Sequence, residues 1–233
     1  HTSLRSAVGR DGQPFADEET AAAVLWVDSL TSGFAACDQL AQIEAGGRAG
    51  AAACGAVMCV VVESGIYVAS VGLGRAVIGT QVGGGEVICD EASNLHCSST
   101  DSEVERMRAV QHCTLPLPPL NLPTRMLGGP ALKQADPRIV GLPDIVRHPH
   151  TEWNRFVVLG SPDLWSHGTR LPVQWAVEAY LTGRSPADEI VARSRGDDVV
   201  ALVVVLPGGL GSGDGRLPPH DELFSSPVDR PQG

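Results

Sequence analysis

The chain has 233 residues, of which 43% are hydrophobic and 19% are charged, and its formal net charge is −10. This length and composition exclude a disordered chain and allow one large domain or two small ones. Binding to a nucleic-acid backbone depends on clustered Lys and Arg, and a bilayer span needs ~20 apolar residues in a row, so neither nucleic-acid binding nor membrane insertion is expected.

The first part of the chain has the pattern of a helix followed by strands. Apolar residues at helical spacing predict a helix from Asp17 to about Ile43, with Gly33 as a candidate break. Three strand-like runs follow, and they are Ala51 to Val62, Ile66 to Val71 and Arg75 to Thr80. The short turn signals between them, at residues 63–65 and 72–74, predict hairpins.

The second part begins with a capping-box pattern, Thr100 to Glu103, which predicts a helix to about Gln111. Residues 114–150 are rich in proline and lack periodicity, so an ordered excursion is expected there. Four more elements are predicted, namely a strand at Arg155 to Gly160, a helix at Pro172 to Leu181, a helix after Ser185, and an apolar strand at Val199 to Leu206 buried on both faces. This order predicts an α/β (α+β) fold with antiparallel sheets.

The six cysteines show no regular framework of the kind found in disulfide-rich secreted domains. Four of them lie in apolar runs, where a reduced thiol behaves as a small hydrophobic group, so a reducing compartment is favoured. The first ten residues contain Arg5 and Arg10 but no acid, which is compatible with the remnant of an organellar targeting segment. An intracellular location is therefore expected, and the mitochondrion, another organelle and the cytoplasm stay open.

Four stretches, in order, resemble the metal-dependent protein phosphatases of type 2C. They are IYVASVGLGRAV at Ile66–Val77, LPTRMLGG with a following Leu-Lys at Leu122–Lys133, FVVLGSPDLW at Phe156–Trp165, and RGDDVVALVV at Arg195–Val204. Glu103 to Met107 also fits the family's "E..R" helix. The resemblance implies a two-layer antiparallel β-sandwich flanked by helix pairs.

This resemblance covers roughly residues 48–206 and sets the expected domain organisation. Residues 1–206 are predicted to form a single phosphatase-like domain. Residues 207–233 are rich in Gly and Pro and are predicted to form a C-terminal tail.

The chemistry that the resemblance implies is hydrolysis of phosphoserine and phosphothreonine with two or more Mg²⁺ or Mn²⁺ ions. The ions activate a water and offset the charge of the transferring group, and they need carboxylate ligands at fixed places. Three aspartates of the family's motifs fall here on Pro162, Gly129 and Leu73, which have no oxygen in the side chain. Asp197 alone matches a metal ligand clearly, with Asp198 beside it.

Two further aspartates are candidates for an active centre. Asp11 belongs to the nearest match to the family's N-terminal Asp-Gly ligand loop, although the histidine and glycines of that loop are missing. Asp163 follows Pro162, and its side chain is expected on the opposite face of a strand end. If the chain is active, Asp11, Asp163 and Asp197 are the expected catalytic residues.

The preferred hypothesis is a catalytically inactive type 2C phosphatase-like protein that serves as a structural or scaffolding subunit of a larger assembly. It has no catalytic residue and no cofactor, because one clear carboxylate cannot hold a two-metal centre. Its expected partners are other protein subunits, contacted through residues 115–149 and through sheet or helix faces. Burial in a partner would explain the order of so irregular a stretch.

Two alternatives stay open. The first is an active but divergent protein serine/threonine phosphatase that uses Mg²⁺ or Mn²⁺, with Asp197, Asp198 and Asp11 as candidate metal ligands. The second is a regulatory module that binds phosphorylated peptides without cleaving them.

Overall fold

The computed structural model describes residues 18–44, 53–81, 86–110, 113–196 and 198–207. Contacts divide the chain into two units whose segments alternate along the sequence. Unit 1 contains His1–Gly74 and Ser93–His150, and unit 2 contains Arg75–Ala92 and Thr151–Gly233. The predicted tail, from residue 208 onward, lies outside the described residues.

Unit 1 is built on a three-stranded antiparallel sheet and one long helix. The helix is α1 (Glu18–Glu44), and the strands before the return of the chain are β1 (Ala53–Cys54), β2 (Ala56–Val62) and β3 (Gly65–Val71). The later elements of this unit are α2 (Asp101–Arg108), β6 (Leu127–Gly128), α3 (Pro130–Ala135) and β7 (Asp144–His148). The sheet has the order β2-β3-β7, and β1 pairs with β6.

The core of unit 1 lies between α1 and the sheet. Every residue of β3 is buried, and Leu30 and Phe34 of α1 pack against Tyr67, Ala69 and Val71. The predicted break at Gly33 is wrong, because α1 continues through it. A glycine costs a helix only about 1 kcal/mol, which the packing of the neighbouring side chains offsets.

Helix α1 has 27 residues, most of them uncharged. The segment Glu19–Glu44 is long and apolar enough to cross a membrane, as judged by length and composition alone. A core helix of a soluble protein and a signal sequence pass the same test. The expectation of no membrane insertion therefore stays a prediction.

Unit 2 is a four-stranded antiparallel sheet covered by two helices. The strands are β4 (Arg75–Gln81), β5 (Val87–Glu91), β8 (Asn154–Gly160) and β9 (Ala201–Val205), in the order β5-β4-β8-β9. The helices are α4 (Arg170–Leu181) and α5 (Pro186–Arg193), and a 3-10 helix at Pro162–Trp165 follows β8. Val77, Val158, Trp165, Val177 and Ile190 belong to the core.

The mixed α/β class and the antiparallel sheets are as predicted, and the C-terminal helices show their predicted ends. Gly183 follows α4 with a φ of +69°, a conformation that favours glycine. The Ser185 hydroxyl accepts a hydrogen bond from the Asp188 amide at 3.4 Å, as an N-cap does.

Two strand predictions are wrong. Residues 72–74 do not form a hairpin turn, because β3 and β4 belong to different sheets. The strand β9 is not buried on both faces, since Leu202 is 57% exposed and Val205 is 44% exposed. An apolar run shows that a strand can be buried, but it does not show how many of its faces another layer covers.

Candidate functional site

The structure places Asp163 in the 3-10 helix after β8, where it is exposed. The strand ends at Gly160, so the alternation of strand side chains does not apply to Asp163. Its side chain lies against Gly196, since a Cβ added to Gly196 would be 2.6 Å from Asp163 Cβ and 3.0 Å from Asp163 Oδ2. Asp163 therefore lies beside the chain segment that leads into Asp197 and Asp198.

The other predicted aspartates are only partly accounted for. Asp198 is exposed, and its backbone carbonyl accepts a hydrogen bond from the Ser161 hydroxyl at 2.9 Å. Asp11 and Asp197 lie outside the described residues. Within unit 2 the structure thus brings Asp163 and the segment around Asp198 together.

Two of the three residues that stand at family aspartate positions, Gly129 and Pro162, have backbone roles. Gly129 adopts a left-handed conformation with a φ of +62° at the start of α3, where a Cβ would lie 2.9 Å from Met126 Sδ. Pro162 is the first residue of the 3-10 helix, a position that suits its fixed φ. Leu73 is half-buried between β3 and β4.

The side chains of Pro162, Gly129 and Leu73 have no oxygen with which to bind the Mg²⁺ or Mn²⁺ ions that the resemblance implies. Such ions are bound by several carboxylate oxygens in a fixed arrangement. Across the described ranges, no group of three or more His, Cys, Asp or Glu side chains is placed to hold a metal ion.

A buried ion cluster lies in unit 1, at the helix α2. The Glu103 carboxylate is 1% exposed and accepts hydrogen bonds from Arg106 Nη2 at 2.8 Å, Arg125 Nη2 at 2.6 Å and the Thr124 hydroxyl at 2.5 Å. Burial alone would raise the pKa of Glu103, but these hydrogen bonds outweigh burial and lower the pKa to about 2. The cluster ties α2 to residues 124 and 125.

The sequence pattern does not predict this cluster. It predicts a capping box between Thr100 and Glu103, but the Thr100 side chain makes no capping hydrogen bond in the structure. The capping box is therefore wrong, although the helix begins where it was predicted. Arg106, three residues after Glu103, was a usable signal for the local pair, whereas the bonds from Thr124 and Arg125 are not visible in local sequence.

His96 is buried next to this cluster, with 1% of its surface exposed. Among the described residues, neither ring nitrogen has a hydrogen-bond partner. Burial, together with the positive charges of Arg125 and Arg106, lowers the pKa of His96 to about 4, against the opposite effect of Glu103 and Asp144. His96 is therefore neutral at physiological pH.

The stability of the protein should depend on pH through His96. Its pKa is about 4 in the folded chain and about 6.5 in the unfolded chain, so the unfolded state binds the proton first. The contribution to stability is complete above pH 6.5 and falls by about 3 kcal/mol as the pH drops to 4. The Glu103 contribution is lost at lower pH, below its ordinary pKa of 4.5.

Urea unfolding at pH 7, 5.5 and 4 measures this dependence. In a His96→Leu variant, the free energy of unfolding should change less between pH 7 and 4 than in the wild type. An identical dependence in both proteins would assign the effect to other groups.

This chain is similar to known proteins, in sequence to a family model and in fold to solved structures. A family model described as Protein phosphatase 2C matches residues 15–190. The structure is similar to a serine-threonine phosphatase 2C from Toxoplasma gondii, with a TM-score of 0.57 and 19% sequence identity over 87% of this chain and 72% of that chain.

It is also similar to a bacterial serine phosphatase, with a TM-score of 0.50 and 15% identity over 78% of this chain and 70% of that chain. No curated protein matches the sequence at a significant level. At these identities, the likeness to the solved structures concerns the fold alone.

Proposed function

The chain belongs to the protein phosphatase 2C family, and we propose that it is a catalytically inactive member that acts as a structural or scaffolding subunit of a larger protein assembly. The observation that carries the proposal is the replacement of motif aspartates by Pro162, Gly129 and Leu73. None of these side chains can bind a hard cation, which needs oxygen ligands.

The residues that follow Pro162 support this proposal, because Leu164 and Trp165 serve packing. Leu164 and Trp165 follow Pro162 and Asp163, and both are buried in the core of unit 2. The Trp165 indole donates a hydrogen bond to the Gly160 carbonyl at 3.1 Å. In this motif, the residues that stabilise the fold therefore match the family pattern, whereas Pro162, at the metal-ligand position, does not.

The irregular segment 115–149 remains the proposed contact element. Hydrogen bonds within the chain, rather than a partner, hold part of this segment in place. The buried Arg138 donates hydrogen bonds to the carbonyls of Leu115 at 3.1 Å and Pro116 at 2.7 Å. Leu120 is 66% exposed and Leu142 is 54% exposed. A segment that is fixed by hydrogen bonds within the chain and that exposes leucines suits contact with another protein.

A phosphatase assay tests the proposal that the chain is catalytically inactive. With Mn²⁺ and a phosphothreonine peptide, we expect no turnover above the rate with Mn²⁺ alone, and no change in an Asp197→Ala variant. An active type 2C phosphatase in the same assay serves as the positive control. Turnover that disappears in Asp197→Ala would overturn the proposal.

One observation favours the rival, an active divergent phosphatase. Asp163 lies against Gly196, and Gly196 directly precedes Asp197 in the sequence. If Asp163 and Asp197 bind metal, Asp163→Ala and Asp197→Ala should each abolish Mn²⁺-dependent turnover. Asp188→Ala, on the helix α5, is a suitable control for the loss of an acid elsewhere in the unit.

A further inference from the structure

A short proline-rich run lies at the start of the irregular segment 115–149 in unit 1. Its sequence is Leu-Pro-Leu-Pro-Pro-Leu at Leu115–Leu120, so two prolines, Pro116 and Pro119, stand three residues apart. Residues 113–119 belong to neither a helix nor a strand in the structure. The run therefore has the Pro-x-x-Pro pattern in an irregular part of the chain.

The prolines of this run favour the polyproline II conformation. Each proline ring fixes its own φ at about −65°, and a residue that precedes a proline is disfavoured in the helical region. Leu115, Leu117 and Pro118 each precede a proline, so every residue from 115 to 119 is restricted in at least one of these ways. A backbone in this conformation forms a left-handed helix with three residues per turn.

Three residues per turn give the stretch from residue 116 to residue 120 three edges, and two of them face solvent. Pro116 and Pro119 form the first edge, and both are exposed. Leu117 and Leu120 form the second edge, where Leu117 is half-buried and Leu120 is 66% exposed. Pro118, on the third edge, is buried. One edge of the stretch thus lies on unit 1, and the other two face outward.

Hydrogen bonds from unit 1 hold the backbone of the run in place. Arg138, with a side chain that is 3% exposed, donates to the Leu115 carbonyl at 3.1 Å and to the Pro116 carbonyl at 2.7 Å. The Ser98 hydroxyl donates to the Pro118 carbonyl at 2.7 Å. A segment that is already fixed in this way loses little conformational entropy when it binds a partner.

This combination of sequence, conformation and exposure selects one class of partner. Domains of the SH3, WW and EVH1 types bind Pro-x-x-Pro segments in the polyproline II conformation, in grooves lined by aromatic side chains. The run from Thr114 to Leu122 contains no charged residue, so the contact that it offers such a groove is apolar. Several of its carbonyls are bound within the chain, which leaves the proline rings and leucine side chains for recognition.

We propose that residues 116–120 bind a partner domain with an aromatic groove of the SH3, WW or EVH1 type, and that Pro116 and Pro119 are the anchoring side chains. The inference rests on the proposed scaffolding role, because it names the class of partner for the contact element of that scaffold.

Binding of purified domains to the full chain tests this inference. The probes are one SH3 domain, one WW domain and one EVH1 domain, each carrying a fluorescent label, and the readout is fluorescence anisotropy. We expect saturable binding of at least one of the three domains. That binding should be at least tenfold weaker with Pro116→Ala and with Pro119→Ala, because each change removes a ring contact and loosens the backbone. Failure of all three domains to bind the wild type overturns the proposal.

Pro137→Ala is the matched control, because Pro137 is an exposed proline of the same irregular segment with no proline three residues before or after it. It should change the affinity less than twofold. If Pro116→Ala or Pro119→Ala fails to fold by circular dichroism, Leu120→Glu replaces it, since Leu120 is 66% exposed and a charge there should also weaken binding at least tenfold. Equal affinity for wild type and the variants of the run, or an equal loss in Pro137→Ala, overturns the proposal.

Two other occupants of the run are separate outcomes, and either would overturn the proposal. A synthetic peptide of residues 114–121 that binds the domains while the full chain does not would show that another part of this chain covers the run. A wild-type dimer that becomes a monomer in Pro119→Ala would show that a second copy of the chain covers it. The phosphatase assay does not depend on the run, so failed binding and failed catalytic inactivity are distinguishable.

Discussion

Replacing Glu103 by Gln should lower the free energy of unfolding by about 3–5 kcal/mol, the range measured when one partner of a buried ion pair is removed. The Glu103 side chain is 2% exposed, and Arg125 beside it is only 13% exposed. An amide removes the negative charge but keeps nearly the same volume, so the Arg106 and Arg125 guanidinium groups lose their counterion without a cavity being formed.

Urea unfolding at pH 7 measures the loss, and Glu91→Gln is the matched control. Glu91 also pairs with an arginine, Arg75, at 3.4 Å, but its side chain is 57% exposed. Exposed pairs contribute about 0–1 kcal/mol because water screens them, so the control should remain close to wild type. Similar losses of unfolding free energy in both variants would mean that the buried ion cluster stabilises the fold no more than an exposed ion pair does.

Replacing Trp165 by Ala should lower the free energy of unfolding by about 3–5 kcal/mol, as for other large aromatic residues in cores. Trp165 is 5% exposed and packs in the cluster that contains Phe156, Val173 and Ile190. Truncation removes apolar contact, leaves a cavity and breaks the indole hydrogen bond to the Gly160 carbonyl. The variant should therefore unfold at a clearly lower urea concentration.

Trp153→Ala is the control for this variant, because Trp153 is 51% exposed. Its replacement should cost less than about 1 kcal/mol, as for surface positions without special contacts. If the two substitutions proved equally costly, the view that the motif around Trp165 is kept for packing would lose its support.

Much of the fold was predictable because its signals are local or follow the family's order. The predicted strand at Arg155 to Gly160 is present as β8, and the two helices after it occur where their caps indicated. The resemblance to type 2C phosphatases, drawn from four stretches in order, is confirmed by the family match over residues 15–190.

The errors concern contacts between residues far apart in sequence. Nothing in residues 72–74 shows that β3 pairs with β7, about 80 residues away, rather than with β4. Glu103 looked like a helix cap because Thr124 and Arg125, which bind it, lie in a segment without periodicity. Capping patterns describe local options, and tertiary partners decide among them.

The candidate site was predictable only in part. The loss of side-chain oxygens at Pro162, Gly129 and Leu73 is visible in the sequence once the motifs are aligned. The contact between Asp163 and Gly196 was not predictable from the sequence, because the 3-10 helix turns the chain after β8 and redirects the Asp163 side chain. Side-chain direction depends on backbone geometry that an isolated motif does not specify.

The alternation of the two units along the chain has a consequence for synthesis on the ribosome. The strands β4 and β5 emerge before Ser93–His150, but their partner β8 emerges after that segment. At ~5–20 residues per second, these roughly 60 residues separate the two halves of one sheet by about 3–12 s. An isolated hairpin is at best marginally stable, so the nascent chain exposes an unfinished apolar surface throughout this interval.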